Sequence, residues 1–187
     1  MTYHKISSGN DYVCCIKKLH KHLGIDKMYL EKHINQLYQE VSKEKLVLCG
    51  KDCFNRDFFL TNSTFSSWKK LKARALDESV VLEVVSAFRS VDYQVKLIEK
   101  KLLAGKKIHD IITVNAPPGF SEHHTGRALD ITTPEEQGVL TESFENTAAF
   151  QWLCKYAADF GFTLSYPREN IHGYVYEPWH WCYQDIS

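Results

Sequence analysis

Four side chains in two short stretches carry the residue types of a hydrolytic metal site: His123 and Asp130 within Ser121–Ile131, and Glu177 and His180 within Tyr176–Trp181. A catalytic zinc needs three protein ligands, a fourth position left open for water, and a carboxylate outside the ligand set to take that water's proton. His123, Asp130 and His180 suit the ligand roles and Glu177 the base. The His123–Asp130 spacing alone carries little, because nine His in 187 residues make such pairs common by chance. Its surroundings add weight. Gly126 can adopt positive φ or admit close backbone approach, and Arg127–Ile131 reads as a short strand with Asp130 on one face.

The second stretch, Gly173–Tyr183, is rich in aromatic and β-branched residues and reads as a strand despite Pro178. Proline confines that strand to an edge or a bulge. A bulge would also bring Glu177 and His180 together, since residues three apart face opposite ways on a regular strand. Without the first stretch, this would read as an aromatic core strand with His180 a satisfied core histidine. His172 is the substitute ligand should His180 not serve. His124 is expected to point away from its neighbour, and Tyr166, Tyr174 and Trp179 are candidates to line a pocket.

Pro118–Asp130 and Tyr176–His180, together with Ser86–Gln94, resemble in the same order three sequence blocks of the VanY-like D-alanyl-D-alanine carboxypeptidases. These are zinc peptidases of the wider group that includes L,D-carboxypeptidases of peptidoglycan and VanX dipeptidases. The resemblance runs from about Phe58 to the C-terminus. It implies zinc on His123, Asp130 and His180, Glu177 as catalytic base, and Arg89, Gln94 and Ser121 as residues that hold the substrate. The implied partner is a peptidoglycan stem peptide or precursor, and the implied reaction is hydrolysis of its C-terminal D-alanine peptide bond. Alternatives in the same group are an L,D-carboxypeptidase, a cytosolic D-Ala-D-Ala dipeptidase and a phage-type endopeptidase. Outside enzymology, a zinc-containing binding module is the competing reading, though such a module would be expected to lack Glu177.

The elements that must position these residues follow from periodicity. Asp26 is a good N-cap for an amphipathic helix over Asp26–Lys43 striped by Leu30, Ile34, Leu37 and Val41, with a shorter helix before it over Tyr12–His22. Trp68, Leu71 and Ala75 predict a helix after Asn62, and Val80–Val85 a buried strand. Ser90 caps a helix striped by Val91, Val95, Ile98 and Leu102 and stopped by Gly105, which puts Arg89 at a strand–helix junction. A helix over Thr147–Phe160 stopped by Gly161 leads to a strand over Phe162–Tyr166. Strands separated irregularly by helices argue for an α+β fold, a small mainly antiparallel sheet with helices packed on it and the zinc site at the sheet. The expected organisation is a helical N-terminal region over residues 1–57 packed on a catalytic domain over 58–187.

Lys plus Arg equals Asp plus Glu at 23 each, which leaves no electrostatic footprint for nucleic acid. No stretch is long and apolar enough for a membrane-spanning segment, and Met1 to Asp11 lack the apolar run of a secretion signal. The chain as written is therefore expected in the cytoplasm, or in the periplasm or cell wall if a leader precedes it. The six cysteines form no recognisable disulfide framework and are expected to be reduced, with Cys182 packed rather than ligating.

Overall fold

The computed structural model describes residues 9–170 and 173–185. In chain order it contains α1 (Gly9–Leu23), α2 (Lys27–His33), the strands β1 (Leu46–Lys51) and β2 (Asp57–Thr61), α3 (Asn62–Asp77), β3 (Glu83–Ser86), α4 (Val91–Leu103), α5 (Ile108–Val114), β4 (Ala128–Thr132), α6 (Ala148–Tyr156), β5 (Phe162–Leu164) and β6 (His180–Tyr183). Short 3-10 turns punctuate the run, one of them over Glu122–Thr125.

Two units emerge. The first takes the described residues up to Glu40 together with Ser90–Ser121, and the second takes Val41–Arg89 together with the described residues from Glu122 onward. The first is helical. On α1, Tyr12, Ile16, Leu19 and Leu23 recur at helical spacing and share a core with Val91, Val95 and Ile98 of α4 and with Phe120. Two caps start its helices: the Asp26 carboxylate accepts the Met28 N–H at 2.8 Å, and the Ser90 hydroxyl accepts the Tyr93 N–H at 3.0 Å.

The second unit is built on a four-stranded sheet in the order β3-β4-β6-β5, antiparallel at every pairing, beside a β1–β2 hairpin. Every residue of β4 is buried. Leu129 and Ile131 alternate onto the face that joins Trp68 and Leu71 of α3 and Trp152 and Leu153 of α6, and Asp130 lies between them on the opposite face. The fold is thus the α+β arrangement that the pattern of helices and strands implies, and no described helix is long and apolar enough to cross a membrane.

Several expected boundaries move. The helix predicted over Asp26–Lys43 ends at His33, with a 3-10 turn to Gln36. Beyond it the Tyr38 N–H donates to the Gly119 carbonyl at 2.8 Å and the Val41 N–H to the His124 carbonyl at 2.9 Å, so tertiary hydrogen bonds replace the helical ladder. The strand expected at Val80–Val85 forms at Glu83–Ser86, and the long C-terminal strand contracts to His180–Tyr183. The boundary expected after residue 57 falls at the start of β2, whose partner β1 precedes it. Hairpin pairing carries Val41–Lys51 into the second unit, while Ser90–Ser121 clusters with the first.

Gly126 closes the turn between His123 and β4. Its φ is +69°, and an added Cβ would stand 2.9 Å from Leu46 Cδ2 and 3.2 Å from Thr61 Cγ2. Gly126→Ala should therefore lower stability by about 1–3 kcal/mol in urea unfolding; an unchanged unfolding midpoint would show that the turn relaxes without cost.

Candidate metal centre

Asp130 and His180 are cross-strand neighbours in the β4–β6 register, and Ser86 faces Asp130 from β3. Side chains at directly opposed positions share one face of a sheet, a few ångströms apart. Asp130 Oδ1 accordingly lies 3.0 Å from His180 Nδ1. His123 arrives from outside the sheet, on the Glu122–Thr125 turn. That turn is laced to the segment after β3 by three bonds: His123 Nδ1 to the Ala87 carbonyl at 2.6 Å, the Arg89 N–H to the His123 carbonyl at 3.2 Å, and His124 Nδ1 to the Arg89 carbonyl at 2.7 Å.

The first of these contacts fixes the protonation of His123. A carbonyl can only accept, so Nδ1 carries the proton and Nε2 presents a lone pair. That Nε2 is buried and has no hydrogen-bond partner among the described residues, and the atom facing it, Asp130 Oδ2 at 3.3 Å, is another acceptor. Buried acceptors turned toward each other are costly unless a cation lies between them. One ligand atom from each of His123, Asp130 and His180 lies within 4.8 Å of the others, and all three residues are buried. Two imidazoles and a carboxylate form a donor set suited to zinc. The residues present fit a divalent ion.

Glu177 reaches the same place by a different route from the one expected. Residues 173–177 are irregular, and the His180 N–H bonds to the Glu177 carbonyl at 3.1 Å. A β-turn with Pro178 in its second position, not a bulge, thus precedes β6, and φ near that of proline suits this position. The turn sets Glu177 Oε2 3.9 Å from His180 Nδ1, and the Glu177 N–H bonds to the Tyr166 carbonyl at 3.0 Å. The Tyr166 ring packs against the His180 ring with centroids 4.7 Å apart and against that of Tyr174 at 5.2 Å.

Among the protein groups alone, the charges are strongly polarised. Burial, aided by the Arg89 guanidinium, pushes the His123 imidazole down to about 4. Burial also opposes charge on His180, but hydrogen bonds and charge from Asp130 and Glu122 outweigh it and raise that ring to about 10. Asp130 is held well below the usual carboxylate range because His123, His180 and Arg89 together overcome its burial. Glu177 is pushed up to about 7, chiefly by burial, with Asp130 adding to the effect.

Arg89 sits beside the cluster, one guanidinium nitrogen 3.7 Å from Asp130 Oδ2, and its buried Nε has no hydrogen-bond partner among the described residues. Gln94 and Ser121 belong to the first unit. Gln94 is buried on α4, where its amide donates to the Ala116 carbonyl at 2.7 Å and its Oε1 has no partner among the described residues; Ser121 is buried one residue before the turn that carries His123. His124 is buried and serves the backbone of Arg89, while Cys182 is packed in the core. His172 lies outside the described residues. One contact has no counterpart in the sequence reading: Glu122, which is buried, places Oε2 2.8 Å from His180 Nε2. Its position beside His123 in an acidic-then-His pair was the only available signal.

Comparison with known proteins gives a coherent set of relatives. A family profile described as VanY: D-alanyl-D-alanine carboxypeptidase matches residues 57–186. The Bacillus subtilis protein YodJ is 33% identical over 129 residues, which cover 67% of this chain and 46% of that protein. The bifunctional D-Ala-D-Ala dipeptidase and D-Ala-D-Ala carboxypeptidase VanXYC of Enterococcus gallinarum is 30% identical over 134 residues, 69% of this chain and 69% of that protein. Among solved structures, that of the LdcB LD-carboxypeptidase aligns with a TM-score of 0.68 at 30% identity and covers 79% of this chain and 70% of that one.

A ligating imidazole must be neutral at the nitrogen that meets the ion, and His180 holds its proton to about pH 10. Zinc binding near pH 7 should therefore expel roughly one proton, and the dissociation constant should fall about tenfold per unit as pH rises from about 6 to about 9. Calorimetry in buffers of different ionisation enthalpy reads the proton directly; a pH-independent affinity would show that His180 carries no second proton in the metal-free protein.

Proposed function

This chain belongs to the VanY family of D-alanyl-D-alanine carboxypeptidases, and on that premise we propose that it is a zinc-dependent carboxypeptidase that removes the C-terminal D-alanine of peptidoglycan stem peptides. The observation that carries the proposal is the buried Nε2 of His123, without a hydrogen-bond partner among the described residues, facing Asp130 and His180, with Glu177 at the edge of the cluster. His123, Asp130 and His180 hold the ion. When bound, it supplies Lewis acidity, lowering the pKa of water toward neutrality and polarising the scissile carbonyl.

The remaining work falls to the chain's own groups. Glu177 stands outside the ligand set in a low-dielectric position that raises its proton affinity, which suits a group that must take a proton from the attacking water and return it to the leaving amine. Arg89 offers N–H donors next to the cluster for a substrate carboxylate, or for the oxygen on which negative charge develops. Gln94 is a substrate-binding residue of the proposal by the family pattern; its amide donates to the Ala116 carbonyl, which leaves its side-chain oxygen as an acceptor. Ser121 is the remaining substrate-binding residue of the proposal, by the family pattern.

Cleavage of an L,D bond is the second reading, and it is supported by the 30% identity and 0.68 TM-score to the LdcB LD-carboxypeptidase. Incubation with a pentapeptide stem, a tetrapeptide stem and free D-Ala-D-Ala, followed by mass analysis, separates the readings. Loss of one D-alanine from the pentapeptide alone is expected, and turnover of the tetrapeptide in its place would assign L,D specificity. A chelator should abolish turnover and zinc restore it, whereas a binding module would turn over none of the three.

Glu177→Gln should keep zinc bound while kcat/KM falls by about two to four decades, the scale of losing a general base. Stoichiometric zinc with undiminished turnover would exclude Glu177 from the proton transfers.

A further inference from the structure

His180 meets a carboxylate at each ring nitrogen, and the two contacts differ. Nδ1 lies 3.0 Å from Asp130 Oδ1, whose other oxygen faces His123 Nε2, so this carboxylate belongs to the converging set. Nε2 lies 2.8 Å from Glu122 Oε2 at the other side of the ring, and Glu122 contributes no atom to that set. An ionised carboxylate only accepts, so the Glu122 contact places a proton on Nε2 and leaves Nδ1 as the nitrogen available to an ion.

Glu122 is itself held in place. Its Oε2 accepts the Ser165 hydroxyl at 2.6 Å, and its backbone lies in the 3-10 turn that carries His123. One turn therefore presents a ligand and, on the preceding residue, the partner of a second ligand on β6. The two imidazoles are oriented by unlike acceptors. His123 leans on the neutral Ala87 carbonyl, which no side-chain substitution removes, whereas His180 leans on a buried carboxylate that also strengthens the ring as a donor to a cation.

We infer that Glu122 is a positioning residue that fixes the tautomer and orientation of His180 and so sets the affinity of the site for zinc. The inference rests on the zinc reading above, and zinc binding is measured apart from peptide turnover to keep the two distinguishable. Zinc affinity is read by competition with a chelating dye, and the His180 tautomer by nitrogen NMR of the zinc-loaded, histidine-labelled protein. Glu122→Ala should weaken zinc binding by about 10–100-fold and erase the uniform Nε2–H signature of His180. Glu122→Gln keeps an oxygen able to accept that N–H without the charge, so its affinity should fall between the two.

An alanine variant that binds zinc within about twofold of the parent, with the His180 signature unchanged, overturns the inference. Should the alanine variant fail to fold, the glutamine variant decides: weaker binding upholds the role of the carboxylate, and parental affinity overturns it. A parent protein that binds no zinc would instead sink the zinc reading.

Discussion

The hydrogen bond from His123 Nδ1 to the Ala87 carbonyl constrains everything else in the site. By putting the ring proton on the side of the protein backbone, it turns a bare lone pair toward Asp130 in a place that water does not reach. A buried acceptor facing a buried carboxylate costs folding free energy, on the order of 1–3 kcal/mol for the unpaired group alone. A cation bound there would convert the liability into coordination, and metal binding and folding would then share one free energy.

Two strands and two turns bring the set together, and each does so for a reason in its own residues. The register of β4 against β6 pairs Asp130 with His180 across the ladder, while Leu129 and Ile131 bury the other face of β4 in the core. A slip of one residue would turn Asp130 into that core and Leu129 or Ile131 toward His123, so hydrophobic burial and site geometry specify the same register. Gly126 makes the turn tight enough for His123 to fold back over the strand. The β-turn at Pro178 then lets Glu177, three residues before His180, stand beside that ring without belonging to the converging set.

How much of this could be read from the chain depended on whether the determining interaction was local. The caps at Asp26 and Ser90, the stripe of α4, the glycine turns and the strand around Asp130 were legible because a side chain bonds a backbone group two or three residues on, or because apolar residues recur at a fixed period. The end of α2 was not, since the Tyr38 and Val41 amides are claimed by carbonyls at Gly119 and His124, about eighty residues away. The β1–β2 hairpin carries short apolar runs, Leu46–Leu48 and Phe58–Leu60, too brief to separate from loop by periodicity. The placement of Ser90–Ser121 with the N-terminal helices depends on long-range packing that leaves no mark in composition. The three members of the converging set were visible as residue kinds in a family pattern, whereas Glu122 was not, because its partner lies 58 positions away and nothing local marks a glutamate as buried.

The most direct test of the account is anomalous diffraction at the zinc edge from crystals of the protein grown with zinc. The account predicts a single strong peak bonded to His123 Nε2, Asp130 and His180 Nδ1, with Glu177 beside it and not among its ligands. A peak elsewhere, or an ion held through His180 Nε2, would contradict it.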